Sequence, residues 1–121
     1  MILGRYSADL PRVHLRIRGP AGPIALEFVV DTGFDGHLVL PSPVLFKLGS
    51  RADDLTARRL GDGRVTDCNR HYIEVEWNDS WRVVEALELG SVPLLGTLMM
   101  EGGSLHIELF EGGEVVLDLP D

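Results

Sequence analysis

Apolar and polar residues alternate with a period of two along much of the chain. The alternation runs from Val13 to Ile17 and resumes over residues 24–30, after the Gly- and Pro-rich segment 19–23. A period of two is typical of strands that bury one face, and Gly and Pro at the break favour a turn. Residues 12–30 are therefore predicted to form a β-hairpin that leads directly into Asp31.

Further short strands are predicted along the rest of the chain, because apolar runs are separated by Gly, Pro, Asn or Asp. They cover residues 37–40, 56–60, 64–77, 81–89, 92–95, 105–109 and 115–119. Residues 43–49 have Pro near the start and Gly at the end, as short helices do, and residues 97–101 are a second helical candidate. The pattern predicts an all-β fold, a small closed barrel or sandwich with one or two short helices.

The length of 121 residues suits one domain, residues 1–121, with a core that needs no disulfide or metal for stability. The net charge of −8 disfavours contact with nucleic acid and with anionic membranes. No apolar run approaches the roughly 18 residues of a membrane span, and residues 1–11 lack the apolar stretch of a signal peptide. We therefore expect neither a nucleic-acid nor a membrane partner, and a cytoplasmic location by default.

Cysteine and histidine do not indicate a metal or redox site. Cys68 is the single cysteine, which excludes an intramolecular disulfide. The histidines His14, His37, His71 and His106 do not have the spacing of zinc ligands. We expect no metal and no cofactor.

The chemically informative motif is Asp31-Thr32-Gly33, which follows the apolar strand without a break. An ionised carboxylate at the end of a buried strand is costly unless it accepts hydrogen bonds or shares a proton. One interpretation is a turn, because Asp, Thr and Gly are all good turn formers. The other is a catalytic carboxylate.

Three features in order make the chain resemble the retropepsin-like aspartic peptidases, including their small prokaryotic members. The first is the apolar strand ending in Asp31-Thr32-Gly33. The second is the turn Leu60–Arg64, placed where the family has its flap. The third is Leu94-Leu95-Gly96, followed by the short helical candidate. The resemblance extends over residues 12–118.

The resemblance implies a role for each matching residue. Asp31 would be the catalytic carboxylate, and Thr32 and Gly33 would complete the active-site loop. Leu94, Leu95 and Gly96 would support that loop. Substrate contacts would come from Phe34, Asp35, Gly61, Asp62 and Gly63. Three residues depart from the common family pattern. They are Phe34, at a position where viral members have Ala, then Asp62 in the flap turn, and Thr97 after Gly96.

The family mechanism uses two carboxylates that share one proton and activate one water. This chain contains one Asp-Thr-Gly, so the resemblance implies a homodimer that hydrolyses peptide bonds between two copies of Asp31. An alternative with the same fold is an inactive dimer that binds peptides. A third possibility is an unrelated monomeric barrel in which Asp31 caps a turn.

Overall fold

The computed structural model describes residues 1–59 and 65–120. They form ten strands and one helix: β1 (Ile2–Ser7), β2 (Leu10–Gly19), β3 (Gly22–Val30), β4 (Leu38–Leu40), α1 (Ser42–Lys47), β5 (Asp54–Arg59), β6 (Val65–Trp77), β7 (Ser80–Glu88), β8 (Leu94–Leu95), β9 (Ser104–Ile107) and β10 (Glu114–Asp118). The fold is all-β, as the alternating pattern predicts.

Among the described strands, six close into a barrel. They pair in the order β6–β7–β4–β8–β3–β2, and a pairing between Ile17 of β2 and Val75 of β6 completes the ring. Both residues are fully buried. Closure leaves no exposed edge between these strands, which is how small β proteins avoid edge-to-edge aggregation.

The barrel interior contains the main hydrophobic core. Val13, Leu15 and Ile17 of β2 are buried, while the polar residues between them are exposed. The other strands contribute in the same alternating way, with inward residues that include Phe28, Val30, Leu38, Leu40, Ile73, Val84, Ala86 and Leu95. The period-two pattern therefore identifies most core-facing residues, except at the start of β3, where Ile24 is 43% exposed.

Three strands extend the sheet beyond β2, in the order β1, β10, β9. Gly4 of β1 lies opposite both Val13 of β2 and Val115 of β10, so the first and last strands of the chain lie side by side. The sequence pattern does not predict β1, because the apolar residue Leu3 breaks the apolar–polar alternation. In the structure Leu3 faces outward and is 61% exposed. Tertiary pairing, and not the local pattern, defines this strand.

Most other sequence predictions are confirmed, with described ends shifted by one or two residues. The turn at Asn78 and Asp79 has positive φ at both residues, 52° and 68°, as a tight hairpin turn requires. The predicted helix over 97–101 is wrong, because the segment forms consecutive turns with bonds from Met100 N to Thr97 O and from Glu101 N to Leu98 O. It lies between Gly96 and Gly102, which leaves too few residues to propagate a helix.

Within the described part of the chain, no helix is long and apolar enough to cross a lipid bilayer.

A polar network connects α1 to the barrel. The ring of His71 is buried, with Nδ1 2.8 Å from Ser50 Oγ and Nε2 2.9 Å from Glu88 Oε1. Ser42 Oγ donates to the other oxygen of Glu88 at 2.6 Å, and Asn69 Nδ2 donates to Oε1 at 3.2 Å. Because a carboxylate only accepts, Nε2 carries a proton, and in the neutral ring Nδ1 accepts from the Ser50 hydroxyl. The network therefore satisfies both nitrogens of a buried imidazole.

We predict that Glu88→Gln lowers the free energy of unfolding by about 1–3 kcal/mol at pH 7. The hydrogen bonds from Ser42 and then His71 hold the pKa of Glu88 below its usual value of 4.5. A lowered pKa stabilises the fold above 4.5, and this stabilisation is lost as the pH falls through the lowered value. The difference between wild type and variant should therefore shrink as the pH falls below 4.5.

Urea unfolding at pH 7 and at about pH 3 measures this difference. Glu101→Gln is the control, because Glu101 is exposed, and its effect should stay within about 0.5 kcal/mol. A Glu88→Gln deficit that is equally large at both pH values would contradict the assignment.

Candidate active site

Asp31 is the first residue after β3, at one end of the barrel. β3 runs parallel to β8, with Val29 opposite Leu94 and Val30 opposite Leu95. The backbone amide of Asp31 donates to the carbonyl of Leu95 at 2.9 Å. The last β3 residues are buried, whereas Asp31 is only half-buried. The carboxylate is thus carried on a fixed backbone at the point where the chain leaves the core.

The Asp31-Thr32-Gly33 segment forms a tight turn closed by the aspartate itself. Asp31 Oδ1 accepts a hydrogen bond from the Gly33 amide at 2.9 Å, and the Phe34 amide donates to the Asp31 carbonyl at 3.2 Å. Thr32 and Gly33 are exposed beside the carboxylate. The turn orients the side chain of Asp31 and leaves it accessible from the end of the barrel.

The second predicted motif, Leu94-Leu95-Gly96, lies directly against this loop. Gly96 N donates to His37 O at 2.9 Å, and Leu98 N donates to Gly36 O at 3.2 Å. A Cβ on Gly96 would overlap the carbonyl oxygen of Gly36 and lie 2.6 Å from Cδ2 of Phe34. Only a residue without a side chain allows the two segments to approach so closely.

Thr97 makes two hydrogen bonds to the loop that carries Asp31. Its backbone amide and its hydroxyl both donate to the carbonyl of Phe34, at 2.9 Å and 3.2 Å. The sequence marked Thr97 only as a departure from the family pattern. Its hydroxyl supplies a second bond to the loop, and no local sequence signal indicates this, because the partner is 63 residues away.

His37 is half-buried and directly precedes β4. Burial is the main cause that lowers the pKa of His37 below 6.5, the positive charge of Arg82 lowers it further, and Glu85 opposes the shift. The ring is therefore mostly neutral at pH 7, and protonation of His37 disfavours the folded state as the pH falls below 6.5. A neutral ring beside the loop adds a polar group to this end of the barrel without adding charge.

The structure gathers most of the residues predicted for the site. Asp31, Thr32, Gly33, Phe34 and Asp35 lie in one loop, and Leu94, Leu95 and Gly96 lie against it. Asp35 is exposed. The predicted flap residues Gly61, Asp62 and Gly63 fall outside the described residues. The strands that flank them, β5 and β6, pair as an antiparallel hairpin up to Arg59 and Val65.

The contributions of Gly36 and of the polar network around His71 are visible only in the folded chain. A Cβ on Gly36 would lie 2.5 Å from Cζ of Phe34, and no local sequence signal indicates this packing. The sequence predicts that the acidic residues of the strands, Glu88 among them, form a solvated face, whereas Glu88 bonds to buried His71. The available signal for the polar network is His71 within the otherwise alternating strand β6. Its hydrogen-bond partners cannot be read from the sequence, because they are not adjacent to it.

Comparison with solved structures identifies the architecture. No protein-family model matches the chain, and no curated protein sequence matches it. The chain is similar to a retropepsin-like aspartic protease from Rickettsia conorii, with a TM-score of 0.64 and 16% sequence identity, over 98% of this chain and 89% of that one. The chain therefore has the retropepsin-like fold, with its Asp-Thr-Gly turn at the end of β3.

Proposed function

We propose that the protein is an aspartic endopeptidase that acts as a homodimer, with Asp31 of each subunit forming the catalytic pair. The observation that carries the proposal is the Asp-Thr-Gly turn itself. Its carboxylate is half-exposed, its backbone is bonded to Leu95, and it lies in a retropepsin-like fold. An accessible acid on a rigid backbone is what general acid–base chemistry requires.

Two carboxylates at hydrogen-bond distance cannot both ionise, so the pair holds one proton. The ionised Asp31 takes a proton from a water molecule while the water oxygen attacks the carbonyl carbon of the peptide. The protonated Asp31 gives its proton to the carbonyl oxygen. When the tetrahedral intermediate collapses, the Asp31 that took the proton from water gives it to the amide nitrogen, the other Asp31 takes one hydroxyl proton from the intermediate, and the C–N bond breaks. No covalent bond forms between enzyme and substrate.

The second carboxylate comes from an identical subunit, because the sequence contains a single Asp-Thr-Gly. The exposure of Thr32 and Gly33 supports this, since both flank the carboxylate and are free to meet their counterparts across a two-fold axis. Neither a metal nor a cofactor takes part in the mechanism.

A second candidate is a dimer that binds peptides and does not cleave them. The packing of Phe34 against Gly36 and Gly96 favours it, because a large ring is held next to the loop that carries the carboxylate. Incubation of wild type and Asp31→Asn with an unstructured peptide library separates the two functions. We expect cleavage by wild type alone; equal binding by both without any cleavage would select the binding module.

A further inference from the structure

The polar network around His71 contains a serine, a histidine and a carboxylate in sequence. The ring of His71 is only 3% exposed and lies between the two other groups. Its Nδ1 is 2.8 Å from Ser50 Oγ, and its Nε2 is 2.9 Å from Glu88 Oε1. A hydroxyl bonded to a base, with the base oriented by an acid, is the arrangement that activates a serine as a nucleophile.

The backbone of Ser50 is fixed by the end of α1. Gly49 has a φ of +69°, and its amide donates to the carbonyl of Phe46 at 3.0 Å. The Ser50 amide donates to the carbonyl of Leu45 at 3.1 Å. These two bonds form the helix C-terminal cap known as the Schellman motif. The cap therefore holds Ser50 where its hydroxyl reaches the imidazole ring.

The carboxylate of Glu88 is held by more than the imidazole ring. Ser42 Oγ donates to Oε2 at 2.6 Å, and Asn69 Nδ2 donates to Oε1 at 3.2 Å. The hydrogen bonds from Ser42 and then His71 keep the pKa of Glu88 below 4.5. The acid is therefore ionised at neutral pH, and it fixes the ring proton on Nε2. The other ring nitrogen, Nδ1, is left to accept the hydroxyl proton of Ser50.

Ser50 also lines an open surface groove of about 520 Å³. Among the described residues that line this groove, none belongs to the Asp31 loop. Its apolar lining residues are Leu48, Tyr72, Ile73 and Val83. Its charged lining residues, Arg18 and Glu74, pair with each other at 3.3 Å. Because the charges are paired and the remaining walls are largely apolar, the groove favours a short hydrocarbon chain beside Ser50.

We propose that Ser50, His71 and Glu88 form a second catalytic site, in which Ser50 takes the acyl group from esters of short apolar acids. Ser50 Oγ attacks the ester carbonyl carbon while its proton passes to His71 Nδ1. That proton then goes to the departing alcohol oxygen as the ester C–O bond breaks, which leaves the acyl group on Ser50. Water repeats the two proton transfers and releases the acid. Glu88 does not touch the ester and acts as a positioning residue.

The test uses the Asp31→Asn protein, so that the carboxylate of the proposed peptidase site cannot contribute. Incubation with p-nitrophenyl butyrate, followed by peptide mapping, shows which residue carries the butyryl group. We expect it on Ser50, formed at least about 100-fold faster than in the same protein unfolded in urea. A butyryl group found only on other residues such as Lys47, or equal rates in folded and unfolded protein, would overturn the proposal.

Ser50→Ala in the Asp31→Asn background should lower kcat/KM for p-nitrophenyl butyrate by at least about 100-fold. Ser104→Ala is the matched control, because Ser104 is exposed on β9, and its kcat/KM should not change. A folded Ser50→Ala protein that keeps the full rate would contradict the assignment of the nucleophile. If Ser50→Ala does not fold, peptide mapping decides, because it requires no change at Ser50.

Glu88→Gln separates an activated serine from a network that only stabilises the fold. The readout is the rate of Ser50 acylation under conditions where circular dichroism shows the variant to be folded. We expect this rate to fall by at least about tenfold, because a neutral amide no longer holds the ring proton on Nε2. An unchanged acylation rate in the folded variant would overturn the positioning role of Glu88. All of these outcomes are independent of whether wild type cleaves peptides.

Discussion

Asp31→Asn is expected to reduce peptide hydrolysis by on the order of 10²–10⁴-fold without loss of the fold. Asn cannot take a proton from water or donate one to the carbonyl oxygen. Its amide oxygen can still accept the bond from Gly33 N that closes the turn. The loss should therefore appear in kcat/KM and not in the thermal unfolding midpoint.

Asp118→Asn is the control for the loss of one carboxylate, because Asp118 is exposed on β10, a strand outside the barrel. It should retain full activity. An Asp31→Asn protein that keeps wild-type activity would contradict the mechanism, and an Asp31→Asn protein that is unfolded would contradict the assigned role of the turn.

A mixture of wild-type and Asp31→Asn chains tests whether the site is shared. If each site needs Asp31 from two chains, equal amounts that exchange freely form wild-type pairs in about one quarter of the dimers. Activity at the same total concentration should then fall to about one quarter. A fall to only about one half would mean that each chain carries a complete site.

Gly96→Ala is expected to destabilise the protein by about 2–3 kcal/mol or more and to abolish most of its activity. The new Cβ would overlap the carbonyl of Gly36 and lie 2.9 Å from its carbonyl carbon. These contacts are with backbone atoms of Gly36, and the next is with the ring of Phe34, which is itself held in place. Rotation of a flexible side chain therefore cannot relieve the overlap. β8 would have to move away from the loop, and with it the Leu95 carbonyl that holds the amide of Asp31.

Gly49→Ala is the matched control for this substitution. A Cβ on Gly49 meets nothing within 4 Å, and its φ of +69° restricts the cost to about 1–2 kcal/mol of backbone strain. Gly49→Ala should keep wild-type activity, because the added Cβ meets no atom of the Asp31 turn. Urea unfolding and peptide hydrolysis of both variants measure the difference; a Gly96→Ala protein as stable as wild type would contradict the close approach described above.

Local sequence patterns predict the parts of the fold whose signals lie within a few residues. The alternation over residues 12–30 and the Asn78-Asp79 turn each depend on neighbouring residues, and both appear in the structure as predicted. β1 was not predicted, because it becomes a strand through pairing with β2 and β10 and not through its own alternation. Barrel closure by Ile17 and Val75 joins residues 58 positions apart, so the pattern indicated a barrel but could not give its register.

The candidate site likewise contains motifs that the sequence predicts and contacts that it does not. Asp31-Thr32-Gly33 and Leu94-Leu95-Gly96 are contiguous motifs and could be recognised directly. The second bond from Thr97 to Phe34 and the packing of the Phe34 ring on two glycines require the folded chain. The helix expected over 97–101 is absent for a related reason, because the segment is bounded by Gly96, which packs against Gly36, and by Gly102, and five residues are too few to propagate a helix.

The distance between the two Asp31 carboxylates in a crystal structure of the active protein tests the central claim most directly. We expect a two-fold dimer in which the nearest carboxylate oxygens of the two subunits lie about 2.5–3.0 Å apart, the distance of a shared proton. A dimer whose Asp-Thr-Gly turns face away from each other, or a monomer that hydrolyses peptides, would contradict it.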